Sequence, residues 1–524
     1  MIALLLPLLA AVPVMAAALA AMMPWRIVGR LLALAVPVVT AVSGIGLLVH
    51  HHAEPVVAAQ VGAFVPGVAI PMASDSFTAI MLVATGVVAA AAILFCDLTG
   101  EFTRSRYFAP LVLLLLAGAN GALLTGDLFN LFVFVEVMLL PSYALIAMTG
   151  GWRRLGVGRL FVVVNLLTST VLLAGVGFVY ASAGAVNLAA LAGAASEDGR
   201  VAAALGIVVM ALCIKAGAVP VHGWLPRAYP GTSAGVMALF SALHTKVALY
   251  AVIRIWATAF DLDPAWGRVI LVVALITILW GAIASAAPVD AREILAWQMV
   301  SGVGVILAAL VVASAPGGAI VYMIHHMVTI GALILLVGAA EHLYRSDRLG
   351  ALTDLWHRER PLAVLMVIAI AALVGLPPTS GLVGKLEVLS AALDPGTVWG
   401  VVTVVVVLLG SLIGLVAMLR LWRGIMWRDA APGGDAPDGD ASGDAAPVRD
   451  DDDDNAPTRP RIPGRLLVPG GALVAVSVAM FLGYGAVAPE VDRAVGGLVD
   501  TAAYVQAVLG GPDALTATTV GGVS

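Results

Sequence analysis

Apolar stretches of a length that crosses a bilayer, about 20 residues, recur from one end of this chain to the other. They cover residues 2–22, 30–50, 76–96, 108–125, 127–149, 157–183, 201–222, 232–258, 267–287, 293–313, 318–341, 361–391, 397–422 and 466–488, fourteen in all. The run 108–149 would read as one long helix, but "TGDLFN" breaks it. The predicted fold class is an all-α polytopic membrane protein of about 14 transmembrane helices. Composition leads the same way: 61% of residues are hydrophobic and 11% charged, where soluble domains carry about 25% charged residues. The first twenty residues lack a basic leader and are followed by further spans, so they read as a retained helix.

Arginine placement sets the expected topology. Arginines cluster after odd-numbered segments, from Arg26 and Arg30 to Arg420, Arg423 and Arg428. Arg200, Arg268 and Arg254, the last at the end of segment 8, follow even-numbered ones. The positive-inside rule puts the odd-to-even loops in the cytoplasm and both termini on the outer side. Residues 429–461 are rich in Asp, Pro, Gly and Ala and read as a disordered acidic cytoplasmic loop. That loop supplies much of the net charge of −5; the rest is near neutral, so no nucleic-acid partner is expected. The tail 490–509 has apolar residues at helical spacing and is expected to lie on the membrane surface or against a partner. Cys96 and Cys213, far apart in apolar stretches, read as small buried hydrophobes.

Two segments carry internal breaks. The seventh contains "KAGAVPVHGWLP" with Pro220, and the twelfth "VGLPPTSGLVGK" with Pro377, Pro378 and Gly381. Proline removes a helix hydrogen bond, and the freed carbonyls are tolerated at membrane depth only inside protein or beside a water-filled cavity. Broken helices in corresponding positions of two halves are a transporter signature of inverted repeats; two unrelated proline kinks are the plainer alternative. The implied division is 1–107 for segments 1–3, 108–258 and 259–428 for two five-helix repeats, 429–461 for the loop, and 462–524 for segment 14 and the amphipathic tail.

The chain has only three lysines, Lys215, Lys246 and Lys385, and all three fall inside membrane segments, whereas its loops use arginine. Arginine is always protonated, but a buried lysine can release its proton. The lysines are therefore either relay groups or structural ion-pair partners. Glu136, mid-segment and nine residues from Asp127, is the matching acid for Lys215. Asp127 itself reads as a helix cap. His244 and Lys246 stand about 200° apart on a helix, which favours Lys246 facing inward. His325 and His326 lie mid-segment, and one of them is expected to hand protons on. Glu387, Asp290, Arg292 and Glu293 are expected at the interface. No metal site is expected from the His pair, and no nucleotide-binding loop, redox-cofactor motif or catalytic triad stands out, so no cofactor is implied.

Five stretches carry a resemblance: "GDLFNLFVFVEVMLLPSYAL", "IKAGAVPVHGWLPRAY", "ALFSALHTKVALYAVIR", "AREILAWQMVSGVG" and "LVGLPPTSGLVGKLEVL". Together they resemble the antiporter-like family shared by Mrp-type cation/proton antiporters and the proton-pumping membrane subunits of respiratory complex I. The resemblance implies fourteen helices, inverted repeats over segments 4–8 and 9–13, and a polar axis along the membrane midplane. It implies that Glu136 and Lys215 are the family's Glu–Lys pair, Lys246 its central lysine and Lys385 its terminal channel residue, with His326 carrying the central step. Within the family the chain most resembles the D-type subunits of Mrp antiporters, with one departure: where that class commonly has lysine four residues after the segment-11 histidine, this chain has Ile330.

The expected function is that of a proton-translocating subunit in a multisubunit Na+/H+ antiporter. It would sit in the plasma membrane of a prokaryote, with H+ and Na+ as transported ions and other Mrp subunits as partners. It would be a secondary transporter subunit and not an enzyme. The alternatives are a membrane subunit of a complex I-like oxidoreductase or membrane hydrogenase, and a scaffold subunit whose charges are only structural.

Overall fold

The computed structural model describes all residues except 1, 24, 63, 65, 149–151, 314–315, 345, 347–348, 350–354, 428–460 and 511–524. Its helices are α1 (Leu8–Met22), α2 (Arg26–His50), α3 (Ser76–Leu98), α4 (Phe108–Leu124), α5 (Leu128–Met148), α6 (Trp152–Ala183), α7 (Gly199–Ala216), α8 (Ala234–Ala259), α9 (Pro264–Ala284), α10 (Ala291–Val312), α11 (Gly317–Tyr344), α12 (Arg360–Val374), α13 (Ser380–Leu393), α14 (Val398–Met426), α15 (Gly464–Leu482), α16 (Tyr484–Val499) and α17 (Ala502–Leu509). Twelve helices among the described residues are long and apolar enough to cross a membrane. Two shorter apolar helices, Phe108–Leu124 and Arg360–Val374, lie where the fourth and twelfth segments are expected. The acidic stretch lies outside the described residues except for Arg461.

Helix starts follow local chemistry. Asp75 accepts the Thr78 N–H at the start of α3, and Asp198 accepts the Arg200 N–H at the start of α7. Asp263 does the same for α9, with Pro264 in the first turn, where its missing N–H costs nothing. Asp127 is the cap the sequence suggests: its Oδ1 accepts the Asn130 N–H at 2.8 Å. Small residues let helices approach closely. A Cβ at Gly118 of α4 would lie 2.5 Å from the Met138 nitrogen of α5, and one at Gly281 of α9 would lie 2.4 Å from the Ser301 nitrogen of α10.

A helix that is apolar all round belongs in the interior. Here α8 is buried along its whole length, and α10 and α11 almost so, whereas α1, α2 and α14 turn about two thirds of their apolar span outward. The three interior helices carry His244 and Lys246, Gln298 and Ser301, and His325 and His326 respectively.

The structure adds four details to the expected helical fold. β1 (Val56–Val61) and β2 (Ile70–Asp75) form an antiparallel hairpin beside the helices, with Val56 opposite Asp75 and Val61 opposite Ile70. The tail finds its surface on its own chain. Val491, Ala494 and Leu498 of α16 are buried, Val508 O of α17 accepts from Gln60 Nε2 at 2.6 Å, and Glu490 meets His52 at 2.9 Å. Arg254 is no loop residue but is buried within α8, bound through both terminal nitrogens to Asp75 at 2.6 and 2.8 Å. Arg292 is buried too, paired with Glu341 at 2.7 Å and donating to the Thr232 carbonyl. In both cases a guanidinium at a helix end is held by an acid and not by solvent. Cys96 and Cys213 are both free thiols.

Candidate functional site

Both predicted breaks are present and share one design. α7 ends where Gly217 turns left-handed at φ +92°, and α12 ends where Gly375 does so at φ +94°. Glycine takes this conformation without the Cβ penalty, and the prolines beyond prevent the helix from resuming. The bonds preceding Pro220 and Pro378 are cis. At each break the freed carbonyls are claimed by side chains. Trp224 Nε1 donates to Ile214 O at 3.2 Å, and Lys385 Nζ donates to Val374 O.

Near the first break, Glu136 and Lys215 do not touch directly. Ser169 of α6 stands between them: Lys215 Nζ donates to Ser169 Oγ at 2.8 Å, and Ser169 Oγ donates to Glu136 Oε1. Lys215 and Ser169 are buried and Glu136 partly so. Lys215, Asn165 and His244 line a cavity of about 10 Å³, at the lower limit for one water. His244 meets Ser142 Oγ at 2.8 Å, and that hydroxyl donates to Met138 O. With its one proton so placed, Ser142 accepts, and His244 carries its proton on Nε2. The imidazole stands edge-on to Phe240, ring centres 5.0 Å apart.

Lys246 takes the other side of α8. It is completely buried, and its Nζ has no hydrogen-bond partner among the described residues. Its charge acts on His326, which is also completely buried with neither ring nitrogen bonded. A Cβ on Gly302 of α10 would come 2.0 Å from His326 Nε2, so only glycine leaves space for the ring. His325 turns the other way. Its Nδ1 lies 2.8 Å from Ser380 Oγ, which lies 2.8 Å from Ser477 Oγ. Lys385, partly buried, lies within electrostatic reach of both histidines. Ile330, one turn beyond His326, is a completely buried core residue.

The five expected relay residues, with the two possible ones, His244 and His325, thus form two groups. Glu136, Lys215 and His244 sit on one side of α8, and Lys246, His326, His325 and Lys385 on the other. Ser169, Ser142 and Ser380, which bond to these groups, and Asn165, which lines the cavity beside Lys215, are not among the residues expected from the sequence. Their signal is there: "NLLTST" and "LPSY" put small polar residues inside apolar spans, where each needs a partner.

Residues 125–410, more than half of the chain, match the family described as NADH:quinone oxidoreductase/Mrp antiporter, transmembrane. The chain is 32% identical to a Na+/H+ antiporter subunit of Bacillus subtilis over 448 residues, which are 84% of this chain and 86% of that protein. The chain belongs to the NADH:quinone oxidoreductase/Mrp antiporter family. Another relative, a Na+/H+ antiporter subunit of Alkalihalophilus pseudofirmus, is 33% identical over 366 residues, 68% of this chain and 73% of the relative. Among solved structures, a chain of the Mrp complex from Dietzia sp. DQ12-45-1b superposes with a TM-score of 0.88 at 39% identity, covering 96% of this chain and 99% of that one. A chain of respiratory complex I from Thermus thermophilus superposes at 0.74 and 20% identity, covering 95% and 99%, which is a likeness of fold. The chain is a polytopic membrane protein of this transporter family.

Proposed function

We propose that this chain is the proton-translocating subunit of a multisubunit Na+/H+ antiporter. Protons would pass along Glu136, Lys215, His244, Lys246, His326 and Lys385, with His325 beside the last step. The observation that carries this reading is the row of titratable side chains centred on α8 and α11, the helices most enclosed by the fold. Charged groups inside a membrane are costly and mark ion paths. The named relatives and the 39% identical chain of an Mrp complex favour the antiporter over the complex I alternative, for which the likeness is of fold alone.

Mechanistically, Ser169 lets Glu136 stabilise an ammonium at Lys215 without contact. Movement of the carboxylate removes that stabilisation and sends the proton on toward His244. We read twelve long and two shorter apolar helices as fourteen crossings, α4–α8 and α9–α14 as inverted repeats, and both termini as outward-facing from the arginine pattern. Na+ and the other subunits belong to the assembly as a whole.

The test is Na+-driven change of a pH gradient in everted vesicles carrying the complete complex. Lys215→Ala and Lys215→Arg are each expected to abolish it with assembly intact, since arginine keeps the charge but not the exchangeable proton. Transport by fully assembled Lys215→Arg at the normal rate would return the lysines to a structural role.

A further inference from the structure

Beside Lys385 lies a small cavity with Gln298, Ser301, Tyr322 and Ser411 as its other polar side chains, the rest of its wall being glycine and apolar residues such as Ile278, Val374 and Val407. Its free volume is about 20 Å³, room for one water but not for a file of them. One end reaches the relay: Lys385 is part of the wall, and Gly302 abuts His326 Nε2. The other end is Gln298, which is 7% exposed and donates from Nε2 to Ser285 Oγ at 2.8 Å. Ser285 is buried, but the next residues, Ala286 and Ala287, are exposed, and Arg420 binds both their carbonyls. The Gln298 amide is therefore the last side chain but one between Lys385 and a surface. The amide packs directly against Gly414 of α14: a Cβ there would lie 3.2 and 3.3 Å from the two amide atoms, so a larger residue would press on the amide where it now rests.

We infer that Gln298 is a gate. Tied to Ser285, its amide closes a polar passage between Lys385 and the 285–290 loop; released, it admits water from that face, and protons with it. A neutral amide suits this place. A glutamate would put a carboxylate on the wall shared with Lys385 and hold its ammonium, as Glu136 is proposed to hold that of Lys215. The inference rests on the relay reading of Lys385.

Accessibility tests the passage without reference to transport. In the complete complex, with Cys96→Ala and Cys213→Ala in this chain, Ser301→Cys is exposed to Ag+, a thiol-reactive cation small enough for a water passage, added to either face of oriented vesicles. Thiols left unmodified are then alkylated on the isolated, denatured chain and read by mass. The expected result is slow modification from the face bearing residues 285–290, rising about fivefold with Gln298→Ala, the population shift given by one net hydrogen bond. Equal rates with and without Gln298→Ala, or faster reaction from the opposite face, would overturn the gate. Ser411→Cys reports on the same cavity if Ser301→Cys fails to assemble. Gln298→Glu is expected to slow Na+-driven proton movement at least tenfold; an unchanged rate also counts against the gate. If Lys385→Ala transports normally while labelling follows the gate, the relay reading falls and the passage stands.

Discussion

Ser169 joins Lys215 to Glu136 in the proposed relay, and Ser169→Ala tests that step directly. The hydroxyl takes a hydrogen bond from Lys215 Nζ and gives one to Glu136 Oε1. Two hydrogen bonds in series hold the charged ends about 5 Å apart, and at an effective dielectric of about 20 unit charges at that spacing attract by about 3 kcal/mol. Each hydrogen bond to a charged group adds about 1.5–3 kcal/mol. Alanine removes both bonds and leaves the Coulomb attraction; Glu136→Gln removes the attraction as well. If the bridge conducts the proton, losing its bonds raises the barrier by about one of these contributions, and the rate falls about 10- to 100-fold. Glu136→Gln is expected to fall further, and Ser169→Thr, which keeps the hydroxyl, to stay within a few-fold of normal. The assay is initial Na+-driven pH change in everted vesicles, normalised to assembled complex. Ser169 is 3% exposed, so co-purification of the partner subunits must accompany each rate. Ser169→Ala transport at the normal rate in a normally assembled complex would show that the proton crosses without the hydroxyl, and the bridge would be packing.

Two further outcomes follow from geometry. Gly302→Ala drives a methyl to 2.0 Å from His326 Nε2 and should cost about 1–3 kcal/mol as overpacking, read as a lowered thermal midpoint of the purified complex together with lost transport; Gly206→Ala, with nothing within 4 Å of its Cβ, should change neither. Arg254→Ala or Asp75→Ala leaves a buried charge alone and should each cost roughly 3–5 kcal/mol, with the double change costing less than the sum. Burial by itself would raise the Asp75 carboxyl, but the charge and hydrogen bonds of Arg254 outweigh it and hold it at about 2. A lowered folded value means a contribution complete above the unfolded value of about 3.9 and lost only as pH falls toward 2. The midpoint gap between the normal complex and Asp75→Asn should therefore stay constant from pH 5 to 8; a gap closing in that range refutes the assignment.

Spans, breaks and lysines were legible in the sequence because each has a local cause. Span length follows from bilayer thickness, and a break from a glycine and a proline at fixed offsets. A lysine in an apolar run stands out wherever the chain folds. What stayed hidden depends on pairs distant in sequence. Nothing near Arg254 announces Asp75, 179 residues away, so the arginine reads as a topology signal when it is half of a buried ion pair. Ser169 and Ser142 are chemically ordinary and gain a role only where α6 meets α7 and α5 meets α8. The hairpin at 56–61 and 70–75 escapes notice because short apolar strands between two spans carry no 20-residue signature. His244 shows the limit of the wheel argument. The two residues do diverge around α8, but a helix buried on every side has a polar neighbour in both directions.

The three lysines sit in three different settings, and the differences bear on how a relay could be controlled. Lys215 has a hydroxyl linked to a carboxylate, Lys385 has a freed helix carbonyl, and Lys246 has no acceptor among the described residues. An ammonium with a charge-assisted bond is favoured by about 1.5–3 kcal/mol over one without. A proton passing from the first break to the second therefore leaves a held site, crosses one with nothing to hold it, and reaches a held site again. In the proposed relay the free-energy maximum would therefore fall at Lys246 and His326. Whatever brings a water or a moved side chain to that pair lowers the barrier for the whole transfer, while changes at either end shift only where the proton waits. Ile330 fits this arrangement. Packed completely inside the core one turn beyond His326, it offers no second charge at the crossing.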